Sequence, residues 1–246
     1  PAAGAPAAAI AAARAALGAG PLGYTEALGI RSLRERIARY YRDTRDVPVD
    51  PDRIIVTTGS SAAFILSFLA MFEPGERVAI ANPGYPPYRH ILTALGCEPV
   101  LIETGPPTRW AITGEALRAA HARTPLAGVL VASPANPTGT MMTAQALAEL
   151  IATAEGLGIR VISDEIYHGL DYAMPAVTAL RLSDRALVIN SFSKYFCMTG
   201  WRIGWIVAPE PLVRPIERLQ GNLAVSVPTL SQIAAQAAFD GIAELE

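Results

Sequence analysis

Gly128-Val129-Leu130-Val131-Ala132 runs directly into Ser133-Pro134-Ala135-Asn136-Pro137-Thr138-Gly139. An apolar run without the polar alternation of a half-solvated sheet suits a strand buried on both faces. The change to Pro, Asn and Gly marks a turn beyond the strand's carboxyl end, where open α/β sheets hold ligands. Similar short runs recur at residues 53–58, 78–81, 98–102, 160–163, 186–189 and 203–208. Helical patterns cover residues 7–17 and 62–72, and also 32–41, where Leu33, Ile37 and Tyr40 fall along one side. Strands alternating with helices predict an α/β fold, with a mostly parallel central sheet and helices on both faces.

The bulk numbers fit such a domain. Over 246 residues, 51% hydrophobic and 17% charged residues imply a large buried core rather than a disordered chain. Lys and Arg number 20 against 22 acidic residues, so no basic footprint exists for nucleic acid or an anionic membrane. No apolar stretch reaches the roughly 18 residues of a membrane span. The two cysteines, Cys97 and Cys197, form no CxxC pair, which favours a reducing cytoplasm over a disulfide scaffold. His90, His121 and His168 lack metal-ligand spacing and read as surface or satisfied core histidines. The segment Gly18-Ala19-Gly20-Pro21-Leu22-Gly23 matches the GxGxxG string of dinucleotide sites. It follows a helix and contains Pro21, so it reads as a loop and a nicotinamide site is rejected.

Polar residues cluster where strands end. Asn136-Pro137-Thr138-Gly139 follows one, Asp164-Glu165-Ile166-Tyr167 a second, and Ser191-Phe192-Ser193-Lys194 a third, with Arg202 shortly after. Each has a plain reading on its own. The first is a turn, Asp164 is a helix N-cap, and Lys194 is a surface lysine. Gly59-Ser60-Ser61, between a strand and a helix, can cap that helix or turn its amides toward an anion.

Taken in order, these motifs resemble the class I and II aminotransferases of pyridoxal-phosphate fold type I. Asn82-Pro83-Gly84-Tyr85-Pro86 is similar to the family's aromatic stacking loop, and Gly23-Tyr24-Thr25 with Leu33-Arg34 to its early motif. The resemblance implies that Lys194 holds pyridoxal 5'-phosphate as an imine and then moves the substrate proton as base and acid. It implies that Asp164 faces the pyridine nitrogen and keeps it protonated. Asn136 and Tyr167 would bond the ring's phenolate oxygen, and Tyr85 would stack on the ring. Gly59, Ser60, Ser61, Ser191, Ser193 and Arg202 would take the phosphate, joined by Tyr24 from the neighbouring subunit of a homodimer.

The implied reaction moves an amino group from an L-amino acid to a 2-oxo acid. A β-lyase on the same fold, or the aminotransferase-like sensor domain of a transcription regulator, are the alternatives. Residues 1–246 are expected to be the cofactor-binding large domain, with 1–22 a partial N-terminal segment and a C-terminal small domain absent from the chain. No internal boundary is placed.

Overall fold

The computed structural model describes residues 4–172 and 174–245. Two helices come first, α1 (Ala7–Ala19) and α2 (Arg31–Arg45), followed by β1 (Ile54–Thr57) and α3 (Gly59–Met71). The chain continues through β2 (Arg77–Asn82), α4 (Pro86–Ala94), β3 (Glu98–Glu103), α5 (Gly114–Arg123), β4 (Gly128–Ala132), α6 (Ala144–Gly156) and β5 (Arg160–Asp164). It ends with β6 (Leu187–Ser191), β7 (Gly204–Val207), α7 (Glu210–Leu223) and α8 (Thr229–Ala238). The strands form one seven-stranded sheet in the order β1-β7-β6-β5-β4-β2-β3. β2 pairs in parallel with β3 and β4, and β4 with β5, whereas β1 and β7 run antiparallel. The predicted α/β fold is present, and each predicted strand is found within a few residues of its expected place. No helix among the described residues is long and apolar enough to cross a membrane.

The chain divides into two compact units, Pro1–Leu66 with Ile189–Glu246, and Ser67–Val188. In the second, Gly128, Val129, Leu130 and Val131 of β4 are all buried, as a near-continuous apolar run requires. A side chain of the Val or Leu class fully removed from water contributes about 1.5–3 kcal/mol. Gly128 also lets β4 lie against Phe72, since a Cβ there would run into its ring. The helices α5 and α6 start at Thr113 and Thr143, whose hydroxyls accept from Ala116 N and Ala146 N, both at 3.1 Å. Each satisfies an amide that the first helical turn leaves unpaired.

In the first unit, α2 buries Leu33, Ile37, Tyr40 and Tyr41 in one stripe. It runs four residues past its predicted end and stops at Asp46, whose left-handed backbone (φ 53°) lets its amide reach Tyr41 O. Beneath that stripe lies an aromatic cluster. Trp205 of β7 is fully buried and donates Nε1–H to Tyr41 Oη at 3.1 Å. Phe192 packs on Trp205 at 5.0 Å and on Phe196 at 4.9 Å, and Phe196 meets Phe239 at 5.0 Å. Pairs of this kind add about 0.5–1.5 kcal/mol each beyond their area.

Candidate active site

The aromatic cluster decides where Lys194 stands. Phe192 and Phe196, 0% and 1% exposed, pin both sides of the turn that carries it. Met198 N donates to Phe192 O and Cys197 N to Lys194 O, each at 3.0 Å, closing the turn just beyond β6. Lys194 itself is half-buried. The surface-lysine reading is thereby replaced by a lysine on a rigid, core-anchored turn.

Hydroxyl donors flank it. Ser191, the last residue of β6, and Ser193 are buried, with their Oγ atoms 2.9 Å apart. Ser191 Oγ also donates to Ile203 O and accepts from Ser193 N. Gly59-Ser60-Ser61, expected just ahead of a helix beginning near residue 62, is instead the first turn of α3. That start places their amides among the unpaired donors at the positive end of the helix dipole. Gly59 has φ 74°, and a Cβ on it would run into the guanidinium of Arg202, with Cζ at 2.9 Å. A side chain at Gly204 would meet Ser60 N at 3.1 Å. Two glycines thus let a helix start and a guanidinium crowd together. Arg202 is exposed, has φ 49°, and gives one donor to Thr199 O at 2.9 Å. The whole group presents amides, hydroxyls and one fixed positive charge, the donor set of an anion site. Tyr24 is 85% exposed, and no hydrogen bond joins it to these residues among those described.

The second unit holds a different arrangement. Asp164 ends β5 and is 2% exposed. Oδ1 accepts from Ile166 N at 3.1 Å, and Oδ2 accepts a short hydrogen bond from Tyr88 Oη. The N-cap reading holds in the local sense that the carboxylate caps the following turn. Burial pushes the Asp164 carboxyl up to about 6, opposed by both hydrogen bonds. The same burial, reinforced by the Asp164 charge, raises the Tyr88 phenol well above its usual range. Tyr167 is raised as well, chiefly by burial and then by Asp164.

Asn136 Nδ2 donates to Tyr167 Oη at 3.5 Å, so two of the predicted ligands meet. The Asn136 loop is the turn its sequence suggests: Gly139 N donates to Ala135 O at 2.7 Å, with Gly139 at φ 67°. Its base is fixed from the core. His168 Nε2 lies 3.0 Å from Ser133 O, and Nδ1 lies 3.4 Å from Glu165 Oε2. A carbonyl only accepts, so Nε2 carries the proton in that bond. His168 is therefore the satisfied core histidine that its lack of ligand spacing suggested. Tyr85 is the residue just before α4, at its N-cap position, and meets Tyr88 edge-on, ring centroids 5.3 Å apart.

Comparison with known proteins decides the family. The family model "Aminotransferase class I and II" matches residues 3–246. The chain belongs to the class I and II aminotransferases. A valine–pyruvate aminotransferase of Mycobacterium tuberculosis is 51% identical over 241 residues, covering 97% of this chain and 62% of that protein. A crystal structure of an aminotransferase from the same organism superposes with TM-score 0.96 at 50% identity, covering all of this chain and 68% of the other. Thermus thermophilus aspartate aminotransferase with maleate gives 0.93 at 28% identity, covering 100% and 66%. The chain thus spans a little over three fifths of the length of the Mycobacterium valine–pyruvate enzyme.

Two residues of the candidate site escaped the sequence reading. Tyr88 is three residues after Tyr85, one helical turn along α4, and that spacing was the available signal. Gly204 sits beside Arg202 in the chain, yet its role depends on Ser60, far away in sequence.

Proposed function

We propose that the protein is a pyridoxal-phosphate-dependent aminotransferase that passes an amino group from an L-amino acid to a 2-oxo acid. Family membership supports the reaction class. The observation that carries the cofactor assignment is Asp164, a carboxylate sunk in the core with its oxygens aimed by Ile166 N and Tyr88 Oη. Without a positive partner such burial disfavours its charge, and a protonated ring nitrogen is the partner that would restore it. The donor set around Gly59, Ser60, Ser61, Ser191, Ser193 and Arg202 likewise suits a phosphate dianion. Both groups of residues fit the cofactor.

When bound, the cofactor supplies an electron sink for the bonding pair left at the substrate carbon. The chain's own residues do the rest. Lys194 would hold the cofactor through Nζ, and its amine would take the proton from the substrate Cα and return it to the cofactor carbon across the imine nitrogen. Asp164 would hold a negative charge against the ring nitrogen. Tyr167 and Asn136 would bond the ring oxygen, and Tyr85 would cover a ring face. Arg202 and the hydroxyls fix the phosphate, so the reacting atoms do not drift. The proposal extends to a cytoplasmic homodimer in which Tyr24 serves the neighbouring subunit's phosphate.

The full-length protein, incubated with valine and pyruvate, the pair named for the Mycobacterium relative, is the first to assay, followed by a panel of donors. The expected result is a visible cofactor absorbance that shifts on adding the amino donor, and alanine formed in step with the valine-derived oxo acid. Lys194→Ala should slow transfer by about a thousandfold or more. Full transfer in Lys194→Ala would overturn the lysine's role, and pyruvate and ammonia released without an oxo-acid acceptor would replace transfer by elimination.

A further inference from the structure

The segment 23–30 has no helix or strand, yet polar side chains brought from the far end of the chain bond it at Gly23, Thr25, Ala27 and Ile30. Gln232 of α8 is fully buried. Its Oε1 accepts from Ile30 N at 2.7 Å, and its Nε2 donates to Thr25 Oγ1 and to Val227 O, both at 2.9 Å. Gln220 of α7, also buried, donates to Val56 O at 2.7 Å and to Ala27 O. Thr229 Oγ1 donates to Gly23 O at 2.6 Å, and Val56 N donates to Leu28 O at 2.9 Å. Gly29, at φ 93°, completes the fit: a Cβ there would meet Val56 Cβ at 2.5 Å and Gln232 Oε1 at 3.1 Å.

Amides buried this deeply are retained where every donor and acceptor is matched, because an unmatched one is costly. The use of such matching to immobilise an irregular segment calls for a reason. Near the start of the clamped stretch, between the bonded Gly23 and Thr25, stands Tyr24, 85% exposed. A bulky ring turned into solvent gains little for this chain's core, and a fixed backbone beneath it suits a contact outside the chain.

We propose that Gln232 is a positioning residue that sets the Tyr24 backbone, so that the phenol is pre-organised to reach the cofactor phosphate of a second copy of the chain. The inference rests on the reading of Tyr24 given under the proposed function. Pre-organisation of this kind reduces the ordering that binding must otherwise impose. Loss of the clamp then weakens recognition of the phosphate while leaving recognition of the ring untouched.

The test compares affinity for pyridoxal 5'-phosphate with affinity for pyridoxal, which lacks the phosphate, by equilibrium dialysis on the full-length protein. Tyr24→Phe should lower the preference for the phosphate form by about tenfold, the size of one hydrogen bond to a charged group. Gln232→Met should lower it several-fold with pyridoxal binding unchanged. Should Gln232→Met not fold, Thr25→Val removes one clamp bond at the edge of the segment and decides the matter. The double variant Tyr24→Phe/Thr25→Val should lose no more than Tyr24→Phe alone, since both act through one phenol. A wild-type preference in folded Gln232→Met and Thr25→Val, alongside a loss in Tyr24→Phe, overturns the clamp and spares the reading of Tyr24. Additive losses in the double variant overturn it too. A wild-type preference in Tyr24→Phe removes the underlying reading itself.

Discussion

The two units present their polar groups by opposite means. In the unit that carries Arg202 and Ser61 these two residues are exposed above buried Ser191 and Ser193, and Arg202 gives one donor to Thr199 O. The unit that carries Asp164 hides its charge, with Asp164, Glu165 and His168 all 3% exposed or less. An anion site can be finished by a helix start, an outer hydroxyl and a guanidinium that stay hydrated until the ligand arrives. A carboxylate meant to act on a ring nitrogen must be desolvated beforehand, and a surrounding hydrogen-bond network then becomes obligatory. The difference teaches that stability should be indifferent to one half of the apparatus and sensitive to the other.

Asp164→Asn should expose that difference most. Turnover is expected to fall about a hundred- to a thousandfold, as when one pre-organised electrostatic group is removed. The cofactor-free protein should gain stability. The Asp164 carboxyl is raised to about 6 in the fold, against about 3.9 in an unfolded chain. The folded state therefore holds the proton more tightly, so stability falls as pH rises from about 4 to about 6 and stays lowered above that. Asn has no such loss, and its advantage at pH 8 should reach about 3 kcal/mol, about two pKa units' worth, and vanish near pH 4. Urea denaturation at several pH values reads this out. An unaltered pH dependence would break the contrast between the halves.

Arg202→Ala probes the other half. Affinity for the cofactor should drop about ten- to a hundredfold, the worth of a charge-assisted hydrogen bond, measured by dialysis. Turnover at saturating cofactor should stay close to wild type, and unfolding free energy should move by no more than about 0.5 kcal/mol for so exposed a residue. A large loss of stability would show that the guanidinium supports the fold as well as the ligand.

The smallest effect is expected from Tyr88→Phe, with turnover reduced less than about tenfold. The Tyr88 hydroxyl lowers the Asp164 carboxyl, so its removal should move that carboxyl further up. The pH at which the cofactor-free protein's stability levels off should rise with it. A profile identical to wild type would mean that the short hydrogen bond has no influence on the buried charge.

Much of this molecule was legible in its sequence. The strand at Gly128–Ala132 was placed to the residue, because an apolar run bounded by Pro and Gly is a local signal that burial on both faces then reinforces. Asn136, Asp164, Tyr167 and Lys194 were legible as an ordered set of motifs at strand ends. What could not be read was pairing at long range. Tyr88 and Asp164 are 76 positions apart, and Gln232 and Thr25 are 207 apart. Periodicity reports which face of an element is apolar, and it carries no information on which distant polar group completes a buried one. The start of α3 was misplaced for a related reason: Gly59 looks like a helix breaker until Arg202 is seen occupying the space of its missing Cβ.

The indole of Trp205 has a practical consequence. It is fully buried, its N–H is bonded to Tyr41, and its ring lies 5.0 Å from Phe192, two residues before Lys194. Such a buried fluorophore emits toward the blue, and the cofactor proposed for Lys194 would sit close to it. With Trp110 and Trp201 replaced by Phe, quenching of Trp205 emission would then follow loading of the site in real time, with no label added to the protein.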